Sequence, residues 1–372
     1  MVKTVVVVGG SYGGLQVTHR LLKYTRQQVP DLKVILVSKT SHFFWNIASV
    51  RGIIPGHFKE EQLFQPIEPG LAQYPKDSNE FVLGTASNLD ADARTLDVDT
   101  LTGPRTLSYD FLVLATGARS PSNDVPWKDT GNHEKTLATL RATSERVQSA
   151  RHIVVVGAGP TGVEVSAEIA FHYGKEKEVI LVSADQQVLG GDSLAAAAER
   201  ELVNLGVVIR KGVKAETVSS LPNGRTEVNL SDGEILATDL YLSTVGLVPN
   251  SDYIDPGLLN ERKYVVVDEC LRVRGYENVW ACGDLVSVPK ASFPITNKQA
   301  AGVAKNVELA LQGKRQQVAK GMPFDVLLCT TGPNRGVGRL GIVSTPSLAV
   351  WFIKGRTLAT ESLPKFVSGS QW

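Results

Sequence analysis

The pattern that most restricts this chain occurs twice. Val5-Val6-Val7-Val8 runs without a polar break into Gly9-Gly10-Ser11-Tyr12-Gly13-Gly14. About 148 positions later, Ile153-Val154-Val155-Val156 runs into Gly157-Ala158-Gly159-Pro160-Thr161-Gly162. Apolar residues at helical spacing follow each turn: Leu15, Leu21 and Leu22 after the first, Val163, Val165 and Ile169 after the second. An apolar run that ignores alternation suits a strand covered on both faces, as in a parallel sheet. The glycines let the chain turn tightly and let its backbone approach a pyrophosphate. The helix behind them offers that anion unpaired N–H groups and a partial positive charge. One such turn is a weak signal. Two in the same strand–turn–helix context predict an α/β chain with two Rossmann-like dinucleotide cradles. The second cradle is complete at Gly157, Gly159 and Gly162; in the first, Ser11 replaces the middle glycine.

The acidic residue that binds ribose about 20 residues beyond such a turn is absent both times. The strand Lys33-Val34-Ile35-Leu36-Val37 ends at Ser38-Lys39, and Val179-Ile180-Leu181-Val182 ends at Ser183. A serine hydroxyl still bonds a ribose hydroxyl, more weakly than a carboxylate. With no Glu to favour NAD and no adjacent Arg for a 2′-phosphate, Ser183 leaves NADH and NADPH equally open.

Length and charge narrow the partners. The 372 residues allow two or three domains. Thirty-nine Lys and Arg against 38 Asp and Glu give a net charge of +1, too balanced to hold a polyanion, which argues against nucleic acid. Cys270, Cys282 and Cys329 fit neither a closed disulfide framework nor a zinc pattern, and no CxxC occurs. No metal site and a reducing, cytoplasmic setting are expected. The opening residues are expected to be a strand rather than a leader, Val2 excludes myristoylation, and no apolar run approaches membrane-spanning length.

Further motifs set the class. Phe111-Leu112-Val113-Leu114 ends in Ala115-Thr116-Gly117, Leu240-Tyr241-Leu242-Ser243-Thr244-Val245 leads to Gly246, and Val279-Trp280-Ala281-Cys282 ends in Gly283-Asp284. In this order the motifs resemble the flavoproteins with two dinucleotide-binding domains, the superfamily of glutathione reductase and type II NADH dehydrogenase. The resemblance implies FAD on the first cradle, NAD(P)H on the second, and an Asp284 carboxylate bonded to the ribityl and pyrophosphate part of FAD. The redox cysteine pair of the disulfide reductases is missing, so thiol–disulfide exchange is rejected.

Two more segments narrow the resemblance. Ser41-His42-Phe43-Phe44-Trp45-Asn46-Ile47-Ala48, followed by Arg51, and the run Gly332-Pro333-Asn334-Arg335-Gly336-Val337-Gly338-Arg339-Leu340 are similar to the ferroptosis suppressor protein family. That family is also called the apoptosis-inducing-factor-like mitochondrion-associated inducers of death. Carried over residue by residue, it implies that Gly9 through Gly14 cradle the FAD pyrophosphate, that Arg51 contacts the cofactor, and that Gly84 reads the adenine. Glu164 is implied to face the flavin–nicotinamide junction; its alternative is a first-turn acid that complements the helix dipole. Lys298 and Gln299 would open a helix facing the flavin, with Lys298 either catalytic or solvated. Lys354 aligns with a lysine near the quinone end, but Ala359 stands where the family has an aromatic. His42, Phe43, Phe44 and Trp45 either wall the flavin pocket or only pack.

The expected organisation is a discontinuous FAD domain (1–121 and 250–318), an NAD(P)H domain (122–249) and a small C-terminal α+β domain (319–372). The run from Ser347 to Lys354 packs on the FAD domain or meets lipid or a second subunit; it allows a homodimer and at most peripheral membrane contact. The resemblance implies hydride transfer from NAD(P)H to flavin, then electrons to a small, quinone-type acceptor. Two alternatives stand beside it: a ferredoxin-reductase-like enzyme serving a carrier protein, and a non-enzymatic redox-sensing protein that retains FAD.

Overall fold

The structure is a computed structural model and describes residues 2–286 and 288–372. The two apolar runs become the inner strands of two separate sheets. In the first sheet the spatial order is Val279–Ala281, Phe111–Leu114, Lys3–Val8, Leu32–Ser38, Asn79–Asp90, Thr95–Thr100 and Gly103–Ser108. The first four of these pair in parallel, as does the start of Asn79–Asp90 (Ser38 opposite Leu83). From Gly84 onward that long strand pairs antiparallel with Thr95–Thr100 instead, so it leaves one ladder to begin another. The second sheet is parallel, in the order Val208–Lys211, Glu178–Ser183, His152–Val156 and Leu240–Ser243. An antiparallel sheet of Ala215–Ser220, Thr226–Leu230 and Ile235–Thr238 accompanies it.

Burial explains the unbroken apolar runs. Val5 and Val7 point into one core and Val6 and Val8 into another, all at most 2% exposed. In the second sheet Ile153 and Val155 join that first core, while Val154 and Val156 face a third. One core is therefore common to the inner faces of both sheets and holds them together. Val5–Val8 and Ile153–Val156 each alternate between two hydrophobic environments, so both faces of these stretches select apolar residues.

Where the chain passes between the sheets, Ala118–Arg119 pairs with Val248–Pro249. The tail forms an antiparallel sheet of Val326–Thr330, Gly336–Leu340 and Val343–Thr345, followed by short helical turns and the helix Leu363–Val367. The Ser347–Lys354 run is amphipathic rather than wholly buried. Val350 is fully buried, whereas Leu348 and Phe352 are 73% and 68% exposed. Among the described residues, no helix is long and apolar enough to cross a membrane.

Candidate active site

Both glycine turns have one local geometry. Gly9 N–H donates to Val37 O (2.8 Å) and Gly157 N–H to Val182 O (2.9 Å). Gly9 and Gly157 take positive φ values of 124° and 105°, which the left-handed region reserves largely for glycine. A Cβ on Gly14 would collide with the Gly9 carbonyl, and one on Gly162 with the Gly157 carbonyl. These end glycines are needed so that the helices Tyr12–Lys23 and Pro160–Tyr173 can start against their strands.

A cleft of about 1200 Å3 runs between the two turns. Most of the residues singled out in the sequence line it: Gly9 through Gly13, Ser38, Lys39, Gly84, Ala115 through Gly117, Gly159 through Thr161, Glu164, Gly246, Gly283, Asp284 and Lys354. Gly14, Gly157, Gly162 and Ser183 do not line it. Ser38 and Ser183 turn their hydroxyls to nearby carbonyls, Ser38 Oγ donating to Thr40 O (2.7 Å) and Ser183 Oγ to Asp185 O (2.9 Å). Thr116 Oγ1 donates to Asn250 O while Asn250 Nδ2 donates back to Thr116 O, both at 2.8 Å. This pair fixes the Ala-Thr-Gly corner against the return crossing.

Two expectations are corrected. Arg51 does not reach the cleft. It is 2% exposed and its guanidinium grips Glu168 in a bidentate pair, Nη2 to Oε1 at 2.8 Å and Nε to Oε2 at 3.0 Å, while Nη1 donates to Arg356 O (3.4 Å). Glu168 is fully buried on the second cradle's helix, where a carboxylate without a partner would be costly, and the planar guanidinium fork pairs both of its oxygens. Lys298 is exposed and does not line the cleft. Its helix starts earlier, at Phe293, capped by Ser292 accepting from Ile295 N–H (3.4 Å), so Ser292, Phe293, Pro294 and Thr296 face the cleft instead.

Glu164 and Lys354, 190 positions apart, meet. Lys354 Nζ donates to Glu164 Oε1 at 2.5 Å and to Leu328 O at 3.2 Å. The same carboxylate oxygen accepts from Thr330 N–H (2.8 Å) and Thr330 Oγ1 (3.2 Å). The pair is 6% and 20% exposed, and Phe293, Val326, Leu327 and Ile353 line the same cleft. Burial, with the Glu164 charge beside it, holds the adjacent Cys329 thiol well above its ordinary value; burial alone pushes Cys282 up to about 12. All three cysteines are free and buried, and as protonated thiols they are poor nucleophiles.

The aromatic segment divides its work. Trp45 is fully buried in a ring cluster with Tyr12, Phe293 and Phe366, and its Nε1 donates to Leu358 O (2.9 Å). His42 lines the cleft and stacks on His133 at 3.8 Å between centroids. Burial, reinforced by His133, lowers the pKa of His42.

Sequence reasoning missed the short strap Trp127-Lys128-Asp129, which lines the same cleft. Asn46 Nδ2 donates to Trp127 O (2.8 Å), Trp127 Nε1 donates to Ser243 O (2.7 Å), and Lys128 Nζ donates to Asp284 Oδ2 (2.6 Å). Nothing local marks these residues, which read as a polar, proline-containing connection.

Residues 3–312 match the pyridine nucleotide-disulphide oxidoreductase family model, and the chain belongs to that family. It is 41% identical over 371 residues to the oxidoreductase ptaL of Pestalotiopsis fici, covering 99% of both chains. Identity to human ferroptosis suppressor protein 1 is 27% over 369 residues, covering 95% of this chain and 93% of that one. In fold it is similar to the sulfide:quinone oxidoreductase of Aquifex aeolicus, with a TM-score of 0.80, 18% identity, and coverage of 99% and 92%. The family's cofactors are FAD and NAD(P)H, and the two glycine turns opening on one cleft fit a pair of dinucleotides.

Proposed function

We propose that this chain is an NAD(P)H-dependent flavoenzyme that reduces a quinone-type acceptor. One observation carries the proposal: the Glu164–Lys354 pair shares a single, partly apolar cleft with both glycine cradles. In this reading the first cradle and Asp284 hold FAD, and the second cradle holds the nicotinamide dinucleotide. The bound flavin supplies the two-electron chemistry.

The protein's own residues bind, orient and protonate. Reduction of a quinone by NAD(P)H consumes one proton beyond the hydride, and the quinol carries away both hydrogens and both electrons. Two of the three N–H donors of Lys354 are engaged by Glu164 and Leu328. The third is offered to an acceptor oxygen, where an ammonium supports developing negative charge and delivers the proton. Glu164 holds the ammonium in place, and Thr330 fixes Glu164. Apolar side chains around the pair favour a flat, weakly polar acceptor and exclude water.

The test is to follow the two half-reactions separately. Glu164→Gln and Lys354→Met are expected to keep their flavin while acceptor reduction falls about 100-fold, the scale of a lost acid–base group. Equal rates of flavin re-oxidation by a soluble quinone in both variants and the parent would remove the pair from the mechanism.

A further inference from the structure

Resting on the reading that the first cradle holds FAD, the structure assigns the phosphate-neutralising charge of that cradle to Lys128. A carboxylate and a pyrophosphate in one cradle repel each other unless a cation lies between them. Asp284 is 16% exposed and lines the cleft beside the first cradle, so it needs such a cation. Arg51, the residue that the sequence suggests for this work, is unavailable because Glu168 and the Arg356 carbonyl occupy its guanidinium.

Among the described residues, three cations line the cleft near the first cradle. Arg119 is committed to Asp252 (3.2 Å) and Asn250 (3.1 Å), and Lys39 sits 3.9 Å from Asp129. Lys128 is already in contact with Asp284 at 2.6 Å. Its backbone is held on both sides: Asn46 and Ser243 fix Trp127, and Asp129 Oδ1 accepts from Gly131 N–H (2.9 Å) and Thr136 Oγ1 (2.8 Å). The ammonium is therefore presented from a fixed frame, and its remaining donors suit phosphate oxygens without giving up Asp284. Because the strap also bonds to the strand end at Ser243, the same three residues tie the first cradle to the second sheet.

The experiment titrates FAD into the deflavinated full-length chain by flavin fluorescence at two salt concentrations, with melting temperature as the folding control. Lys128→Gln is expected to weaken FAD binding at least tenfold and to flatten its salt dependence, because a screened charge contact is gone. Lys128→Arg should restore both. Arg51→Gln should lower the melting temperature yet leave FAD affinity of the folded fraction within about twofold. If Lys128→Gln binds FAD like the parent, or Arg51→Gln alone abolishes binding with its melting temperature unchanged, the assignment is wrong while the cradle reading stands. If the parent chain itself binds no FAD, the cradle reading falls, and the assignment with it.

Discussion

The two glycine cradles are close copies in backbone and differ in what covers them. Each opens from a central strand, each first glycine bonds the neighbouring strand, and each third glycine abuts the carbonyl of the first. The helix caps match as well. Ser11 and Gly159 are both extended, and their carbonyls accept from Leu15 N–H (2.9 Å) and Val163 N–H (3.0 Å). Of the three glycine positions only the middle one differs, and there a Cβ on Gly159 would meet no protein atom within 4 Å. The end glycines are thus demanded by the protein's own packing, whereas the middle one answers only to a ligand. That is why a serine fits in the first cradle without disturbing the fold. Above the turns the copies diverge. Beside the first, the cleft is lined by the Lys128–Asp284 pair, and on the second cradle's helix Glu164 pairs with Lys354.

The largest effects are expected from filling the third glycine of each cradle. Gly14→Ala and Gly162→Ala each force a methyl group onto a carbonyl, an overpacking of about 1–3 kcal/mol focused on the turn. Gly14→Ala should strip the flavin spectrum. Gly162→Ala should keep it but abolish bleaching by NAD(P)H, and loss of flavin from that variant would show that the cradles are not independent.

A second, intermediate effect probes how each helix is tied to the tail, the second through Glu164 to Thr330 and Lys354. The first helix is pinned to the tail by His19, whose Nε2–H donates to Val367 O (3.0 Å) while Nδ1 accepts from Tyr74 Oη (2.9 Å). Burial lowers the His19 pKa from 6.5 to about 4. Above pH 6.5 the ring is neutral in folded and unfolded chains alike, and stability is intact. As pH falls from 6.5 toward 4 only the unfolded chain takes the proton, so roughly 3 kcal/mol is lost across that window. Melting temperatures between pH 7 and 4.5 should fall more steeply for the parent than for His19→Gln; identical slopes would discard this account.

The smallest effect is expected from completing the first cradle. Ser11 makes no side-chain cap bond, so Ser11→Gly should change stability by only a few tenths of a kcal/mol. FAD affinity should likewise stay within about twofold, as measured by the same fluorescence titration. A large gain in affinity would mean that the serine, rather than the strap, limits cofactor binding.

The cradles were legible because their determinants are local: a strand, a tight turn and a helix start within about a dozen residues. The Ala-Thr-Gly and Gly-Asp corners were legible for the same reason. Arg51 was not, because its partner lies 117 positions away and only the packing of the two sheets decides between Glu168 and the cleft. Lys298 was misplaced because the helix begins five residues earlier than its polar pattern suggests, which turns another face to the cleft. The Glu164–Lys354 meeting and the Lys128 strap likewise depend on where separate segments come to rest. Each residue carries a charge that a solvated surface would accept equally well.

Electron exchange between dinucleotides held by the two cradles of one cleft is tested by an absorbance spectrum of the purified protein followed by anaerobic additions of NADH and NADPH. A flavin spectrum that bleaches with at least one of the nucleotides is the predicted result, and it also settles the preference that Ser183 leaves open. A chain without flavin, or a flavin that neither nucleotide bleaches, would contradict the account.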